Sequence, residues 1–230
     1  MAIQEKIRIA GLVVLIVISI HSFKDLDAQT QNHFKFGMEG GIGLVNPDDV
    51  NDAIDNWINA QADIILLQGN ENIRLNFDIS IYFGFLIGDF FEIRPEFGFF
   101  FAPKLINAST GNGLNVFIWS FDPGISANLL PRISNSFRFQ LGVGLYRYSS
   151  SIKWDEDADI ISQTWKGSSL GYQVITGLVA ELTPGLGLSG TIIYRNAKID
   201  EIKNEDDEVI QNFNLDLSGV DFRVGFYFSF

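Results

Sequence analysis

From His33 to Val45 the apolar side chains Phe34, Phe36, Met38, Ile42 and Leu44 take the even positions, with His33, Lys35, Gly37, Glu39, Gly41 and Gly43 between them. A repeat of two puts successive side chains on opposite faces of an extended chain, so the stretch predicts a strand. The alternation returns in Ile73 to Ile87, Phe91 to Phe101, Leu114 to Leu129, Phe137 to Tyr148, Ser168 to Leu182 and Leu186 to Asn196, and it closes the chain from Val220 to Phe230. In that last strand Val220, Phe222, Val224, Phe226, Phe228 and Phe230 share one face, and Asp221, Arg223, Gly225, Tyr227 and Ser229 the other. Leu215 and Leu217 are out of step with it, which predicts a bulge near Ser218 and Gly219. Pro95 and Pro123 fall on the apolar faces of the third and fourth strands, and a proline that donates no ladder hydrogen bond predicts a bulge or kink there.

Short turns are expected at Gly88-Asp89, Pro131 to Asn135 and Thr183-Pro184-Gly185, and long connections at Asn46 to Asn72, Ala102 to Gly113, Ser149 to Gly167 and Ala197 to Gln211. The first long connection opens Asn-Pro-Asp-Asp, a helix start, and Val50, Ile54, Trp57, Ile58 and Ile65 follow at helical spacing before Gly69. It predicts a helix of about four turns. Its apolar stripe serves either as a lid resting on a rim or as a surface that touches lipid or a partner. Eight strands with alternating long and short connections describe an all-β, eight-stranded antiparallel up-and-down transmembrane β-barrel with a helical first extracellular loop. Its eighth strand must pair with its first, because an open edge in hydrocarbon leaves backbone groups without partners.

A soluble barrel that cradles a greasy ligand is the structural rival. It would turn the apolar faces inward, and an eight-stranded barrel has too little interior for so many aromatics. Turning those faces to lipid instead puts Lys35, Glu39, Arg74, Asp78, Glu92, Arg94, Glu96, Asp122, Arg138, Glu181, Arg195, Asp221 and Arg223 in the lumen. Six positive and seven negative groups buried together must be paired and hydrogen-bonded, which predicts an interlocking polar plug. Trp119, Tyr148, Tyr172 and Tyr194 toward the outer side, and Phe137, Phe226 and Phe228 toward the inner side, are expected to form interface girdles.

Composition agrees with this reading. The chain carries 21 phenylalanines and 22 glycines, yet after Ile20 it has no apolar run of helix-spanning length. Before that point Lys6 and Arg8 precede twelve uncharged residues, Ile9 to Ile20, and a polar stretch ends at Ala28. This is the layout of a cleaved export signal, so residues 1–28 are expected to be a signal peptide and 29–230 the barrel domain. The absence of cysteine removes lipid attachment through a thiol, disulfides and thiolate metal sites. A formal charge of −12 makes nucleic acid an unsuitable partner.

Two segments carry a resemblance. Ile93-Arg94-Pro95-Glu96-Phe97-Gly98 is similar to the third strand of small outer-membrane barrels typified by the OmpA transmembrane domain, OmpX and OmpW. The ending Val224-Gly225-Phe226-Tyr227-Phe228-Ser229-Phe230, with aromatics at Phe226, Phe228 and Phe230, is similar to the signal read by the barrel-assembly machinery. The resemblance implies a bacterial outer-membrane location, that machinery as a partner during biogenesis, and outer-membrane lipid and lipopolysaccharide as surroundings of a monomer.

Candidate chemistry is sparse. His21 leaves with the signal and His33 begins the first strand, so no Ser-His-Asp arrangement can be assembled at the outer rim. Asp155-Glu156-Asp157-Ala158-Asp159 imitates the start of a calcium loop, but Ile160 and Lys166 stand where glycine and glutamate are required. No catalytic residue, cofactor or metal site is expected, beyond weak bridging of acidic loops to lipid by divalent cations. The favoured role is a structural or surface-interaction barrel with a sealed lumen. The alternatives are a narrow channel or hydrophobic passage of the OmpW kind, opening laterally at the two outward prolines, and an outer-leaflet lipid-modifying enzyme.

Overall fold

The computed structural model describes residues 33–60, 72–107, 113–156 and 161–230. The expected signal peptide, Ile65, Gly69 and the stretch Asp157 to Ile160 lie outside the described residues. Eight long strands form the wall: β1 (His33–Val45), β2 (Leu75–Ile87), β3 (Phe91–Asn107), β4 (Gly113–Leu129), β5 (Phe137–Glu156), β6 (Ile161–Thr183), β7 (Leu186–Asn196) and β11 (Gly219–Ser229). Between β1 and β2 lies the helix α1 (Asp48–Ala60), and between β7 and β11 come the two-residue strands β8 (Lys198–Ile199), β9 (Ile202–Lys203) and β10 (Leu215–Asp216).

Each long strand pairs antiparallel with its neighbours, and the ring closes where β1 meets β11 in register from Lys35 opposite Ser229 to Val45 opposite Gly219. Phe34 and Phe230 extend the seam by two backbone hydrogen bonds: the Phe34 N–H donates at 3.2 Å and the Phe230 N–H at 2.8 Å, each to the other's carbonyl. The ring of eight is thus closed, as hydrocarbon demands, while at the loop end β3 runs past β2 beyond Phe101 and β6 meets β7 only from Tyr172 onward. Outside, Phe34, Phe77, Ile79, Leu141, Val174, Ile192 and Val224 are exposed and make up part of a continuous apolar belt.

The wall departs from the sequence-based expectation at its loop end. β5 runs 20 residues and β6 runs 23, about twice the 9–11 that cross a bilayer. Ser149 to Gly167, expected as a loop, continues the β5–β6 ladder up to Glu156 opposite Ile161, and β3 likewise extends through Ala102 to Asn107. Along β5 the outward positions change from Leu141, Val143 and Leu145 to Arg147, Ser149 and Lys153, with Ser151 on the same face but buried. The inward positions change from Gln140, Gly142 and Gly144 to Tyr146, Tyr148, Ile152 and Trp154. The period persists and its polarity inverts, because above the bilayer the outer face meets water. Tyr148 is therefore buried in the interior and is no girdle residue, whereas Trp119, Tyr172 and Tyr194 do lie exposed on the outer face.

Other expectations are corrected too. β2 begins at Leu75, and Ile73 is buried in the interior instead of facing outward. Pro95 and Pro123 produce no bulge. Pairing lapses between Tyr82–Glu96 and Phe85–Ile93 opposite Pro95, and between Phe121–Ser149 and Gly124–Tyr146 around Pro123, but both registers resume unchanged. Each proline removes a donor without adding a residue, so the ladder weakens locally and does not slip. A register shift lies instead between Glu181 and Thr183. The slip near Ser218 is likewise no bulge: Leu215–Asp216 pairs separately with Lys198–Ile199, and both leucines, Leu215 and Leu217, point into the apolar interior.

Candidate functional site

The barrel interior holds two layers. In the lower one, toward the short turns, Glu92 lies between two cations: Lys35 Nζ is 2.7 Å from its Oε2 and Arg94 Nε 2.9 Å from its Oε1. Arg94 also reaches Glu39 at 3.3 Å, and Ser189 donates to the same Glu39 oxygen at 2.9 Å. Higher up, Arg223 Nη1 donates to Glu96 at 2.7 Å, and its Nε stands 2.5 Å from Asp78 Oδ1 as an ion pair without hydrogen-bond alignment. Arg195 donates to Asp221 at 2.7 Å and to the Leu217 carbonyl at 2.6 Å, while Asn76 donates to the other Asp221 oxygen at 3.0 Å. Asp122 accepts from Ser120, which in turn accepts from Ser150 at 2.8 Å.

Tyrosine rings fill the space between these pairs. The Arg94 guanidinium lies 3.8 Å from the Tyr82 ring centroid, and Tyr146 donates to Glu96 at 3.2 Å. The wall admits the rings because it carries glycine where they lie against it. A Cβ on Gly37 would come within 2.3 Å of Tyr82, and one on Gly187 within 2.2 Å of Tyr227.

Ten of the thirteen residues expected in the lumen are buried there: Lys35, Glu39, Asp78, Glu92, Arg94, Glu96, Asp122, Arg195, Asp221 and Arg223. Three are elsewhere. Arg74 precedes β2 and its side chain is exposed beside Leu44 and Val220 on the outer wall, because Asn51 clasps the Ile73 backbone and turns Ile73 inward. Arg138 is half-buried at the turn end and donates to the Asp89 carbonyl. Glu181 is exposed next to the register shift. The near-balance expected from the sequence is thus replaced by four cations facing six carboxylates.

The upper layer was not anticipated. Phe100, Leu114, Val116, Ile118, Ile152 and Trp154 from the wall form an apolar core with Ile199, Ile202, Leu215 and Leu217 from the last long connection. Helix α1 caps it with Val50, Ile54 and Trp57, spaced four and three residues apart and therefore on one face. Asp48 and Asp49 sit in its first turn, where the positive end of the helix dipole favours acids. Asp49 Oδ2 also accepts from the Asn214 backbone at 2.6 Å, tying helix to connection. The apolar stripe is thus a lid turned inward. The signal for this core was present as alternation in the opposite phase, at Leu114, Val116 and Ile118 and at Ile152 and Trp154.

Among solved structures the chain is similar to the outer membrane protein OprG from Pseudomonas aeruginosa, with a TM-score of 0.54 at 16% identity, covering 89% of this chain and 99% of that one. This is the fold of a small outer-membrane β-barrel. A major outer membrane protein from Thermus thermophilus (TM-score 0.49, 12% identity, 86% and 99% covered) and Neisserial surface protein A (0.47, 13%, 86% and 97%) are also similar to the barrel. No family model and no curated protein matches the chain. The shared fold and the lipid-facing belt are together those of a protein of the bacterial outer membrane. Among the described residues no group of three or more His, Asp or Glu side chains is placed to hold a metal ion.

Proposed function

We propose that the barrel is a sealed, monomeric structural or surface-interaction element of the outer membrane, without catalysis and without a conducting pore. The observation that carries this reading is the doubly stopped interior, a layer of buried ion pairs around Arg94 and Arg223 beneath an apolar core capped by α1. An ion on the barrel axis would have to displace charge-assisted pairs and then cross an apolar layer. Single-channel recording in planar bilayers tests it. The expected result is a baseline at leak, and steady conductance above leak overturns the reading.

We infer further that Phe226, Phe228 and Phe230, exposed on the outer face of the closing strand, address the chain to the barrel-assembly machinery. Deleting Phe230 is expected to lower the amount of folded barrel in the membrane. Normal levels of the truncated chain count against that role.

A further inference from the structure

A groove of about 650 Å³ lies on the outer wall where β4, β5 and β6 meet the acidic last connection, lined by Trp119, Ser149, Ser151, Lys166, Ser168 and Lys203. We propose that it holds the phosphate-bearing sugar headgroup of an outer-leaflet lipid.

Four observations converge on this occupant. The first is position. The lipid belt ends on β5 at Leu145 and on β6 at Leu170, both strongly exposed, and Arg147 is the next outward residue on β5. Across the ladder Phe121 faces Ser149 and Trp119 faces Ser151, so aromatic and hydroxyl side chains adjoin where hydrocarbon gives way to headgroups.

The second is charge. In a chain of formal charge −12, Lys166 and Lys203 both line this groove and Arg147 is exposed on β5, while Lys153 is already paired with Asp155 at 2.8 Å. The third is the pairing of β9 with β6, which sets Lys166 directly opposite Lys203. Like charges so placed weaken a ladder of two residue pairs. Among the described residues neither lysine's ammonium makes an ion pair or hydrogen bond, and both residues are exposed. An anion between them converts the repulsion into two charge-assisted contacts.

The fourth observation selects a sugar phosphate over bare phosphate. Glu201, Glu205 and Asp207 border the same groove, and Glu205 is engaged by the Thr164 N–H at 3.1 Å. Glu201 and Asp207 offer acceptors that repel a free anion and suit the hydroxyls or amines of a sugar. The serine hydroxyls add donors, and the exposed Trp119 ring offers a face for the sugar. The site rests on the membrane placement of the wall and is independent of whether the lumen conducts.

The test uses the full chain in detergent micelles with three probes: purified lipopolysaccharide, the same lipid after phosphatase treatment, and glucosamine 6-phosphate free in solution. Native mass spectrometry and thermophoresis read retention and affinity. The phosphorylated lipid is expected to bind at least about tenfold more tightly than the other two. Lys166→Gln with Lys203→Gln is expected to lose about tenfold with an unchanged unfolding midpoint. Lys166→Arg with Lys203→Arg keeps the affinity, and so does Lys198→Gln, whose lysine pairs with Asp200. Equal binding of the dephosphorylated lipid by the native chain overturns the proposal without recourse to any variant. So does full affinity in the glutamine pair. Free sugar phosphate binding as tightly as the lipid overturns the assignment to a lipid and gives the groove to a soluble ligand.

Discussion

The lower and upper halves of this barrel share strands, register and inward-outward phase, yet their interiors are opposites. Below, the inside carries Lys35, Glu92, Arg94, Glu96 and Arg223; above, it carries Leu114, Ile118, Ile152 and Trp154. The outside changes in the contrary sense, from Leu141 and Val143 to Ser149 and Lys153. A strand pairs its backbone in the same way in either setting. What decides which side chains go in is the medium outside, lipid for the lower half and water for the upper. The lower half is held by directional ion pairs whose members must all be present, the upper by area removed from water, which tolerates change in proportion to volume.

That contrast can be broken by substitution. Arg94→Ala is expected to have the largest effect, roughly 3–5 kcal/mol, because it leaves Glu39 in the lumen with no cation beside it and Glu92 with Lys35 alone. The measurement is the urea midpoint of the refolded barrel in micelles, read by heat-dependent migration, and an unchanged midpoint would sink the structural role of the ion pairs. Ile54→Ala removes the middle of the lid stripe and is expected to weaken the upper half by roughly 2–5 kcal/mol. Its signature is faster proteolysis of the upper half with the membrane-embedded part still folded; loss of both together would mean that the halves are one cooperative unit.

Gly37→Ala sets a methyl against the Tyr82 ring and is expected to destabilise by about 1–3 kcal/mol. The double variant with Tyr82→Phe keeps the ring carbon nearest that methyl and is expected to stay destabilised; no effect of the single change would show that the ring yields freely. Arg132→Ala opens an ion pair to Asp89 whose side chains are both more than half exposed, and less than about 1 kcal/mol is expected. A loss as large as that of Arg94 would erase the distinction between lumen and rim.

The lower half was legible in the sequence because lipid imposes a rule that alternation displays. Strands β1 and β7 have their expected bounds, and the ten buried charges lie where their phase puts them. The upper half was not, for a physical reason. Once the outer face meets water, serine and lysine take outward positions and the stretch reads as a polar loop, although Ile152, Trp154 and Trp165 keep the period. Arg74 was misplaced because phase does not carry across a strand end: the Asn51 side chain, 22 residues away in sequence, turns Ile73 inward. The lysine pair of the outer groove depends on which connection residues dock beside β6, a tertiary fact without a local signature.

The rings of Tyr82 and Tyr227 against Gly37 and Gly187 bear on how such a barrel changes over evolutionary time. Bulk in the lumen is divided between two partners, one supplying a ring and the other supplying nothing. Removing the ring alone leaves a void beside a cation, Arg94 for Tyr82 and Lys35 for Tyr227, and enlarging the glycine alone leaves no room for the ring. A route from plug to pore along this wall therefore runs through paired steps, because a single substitution on either side costs stability.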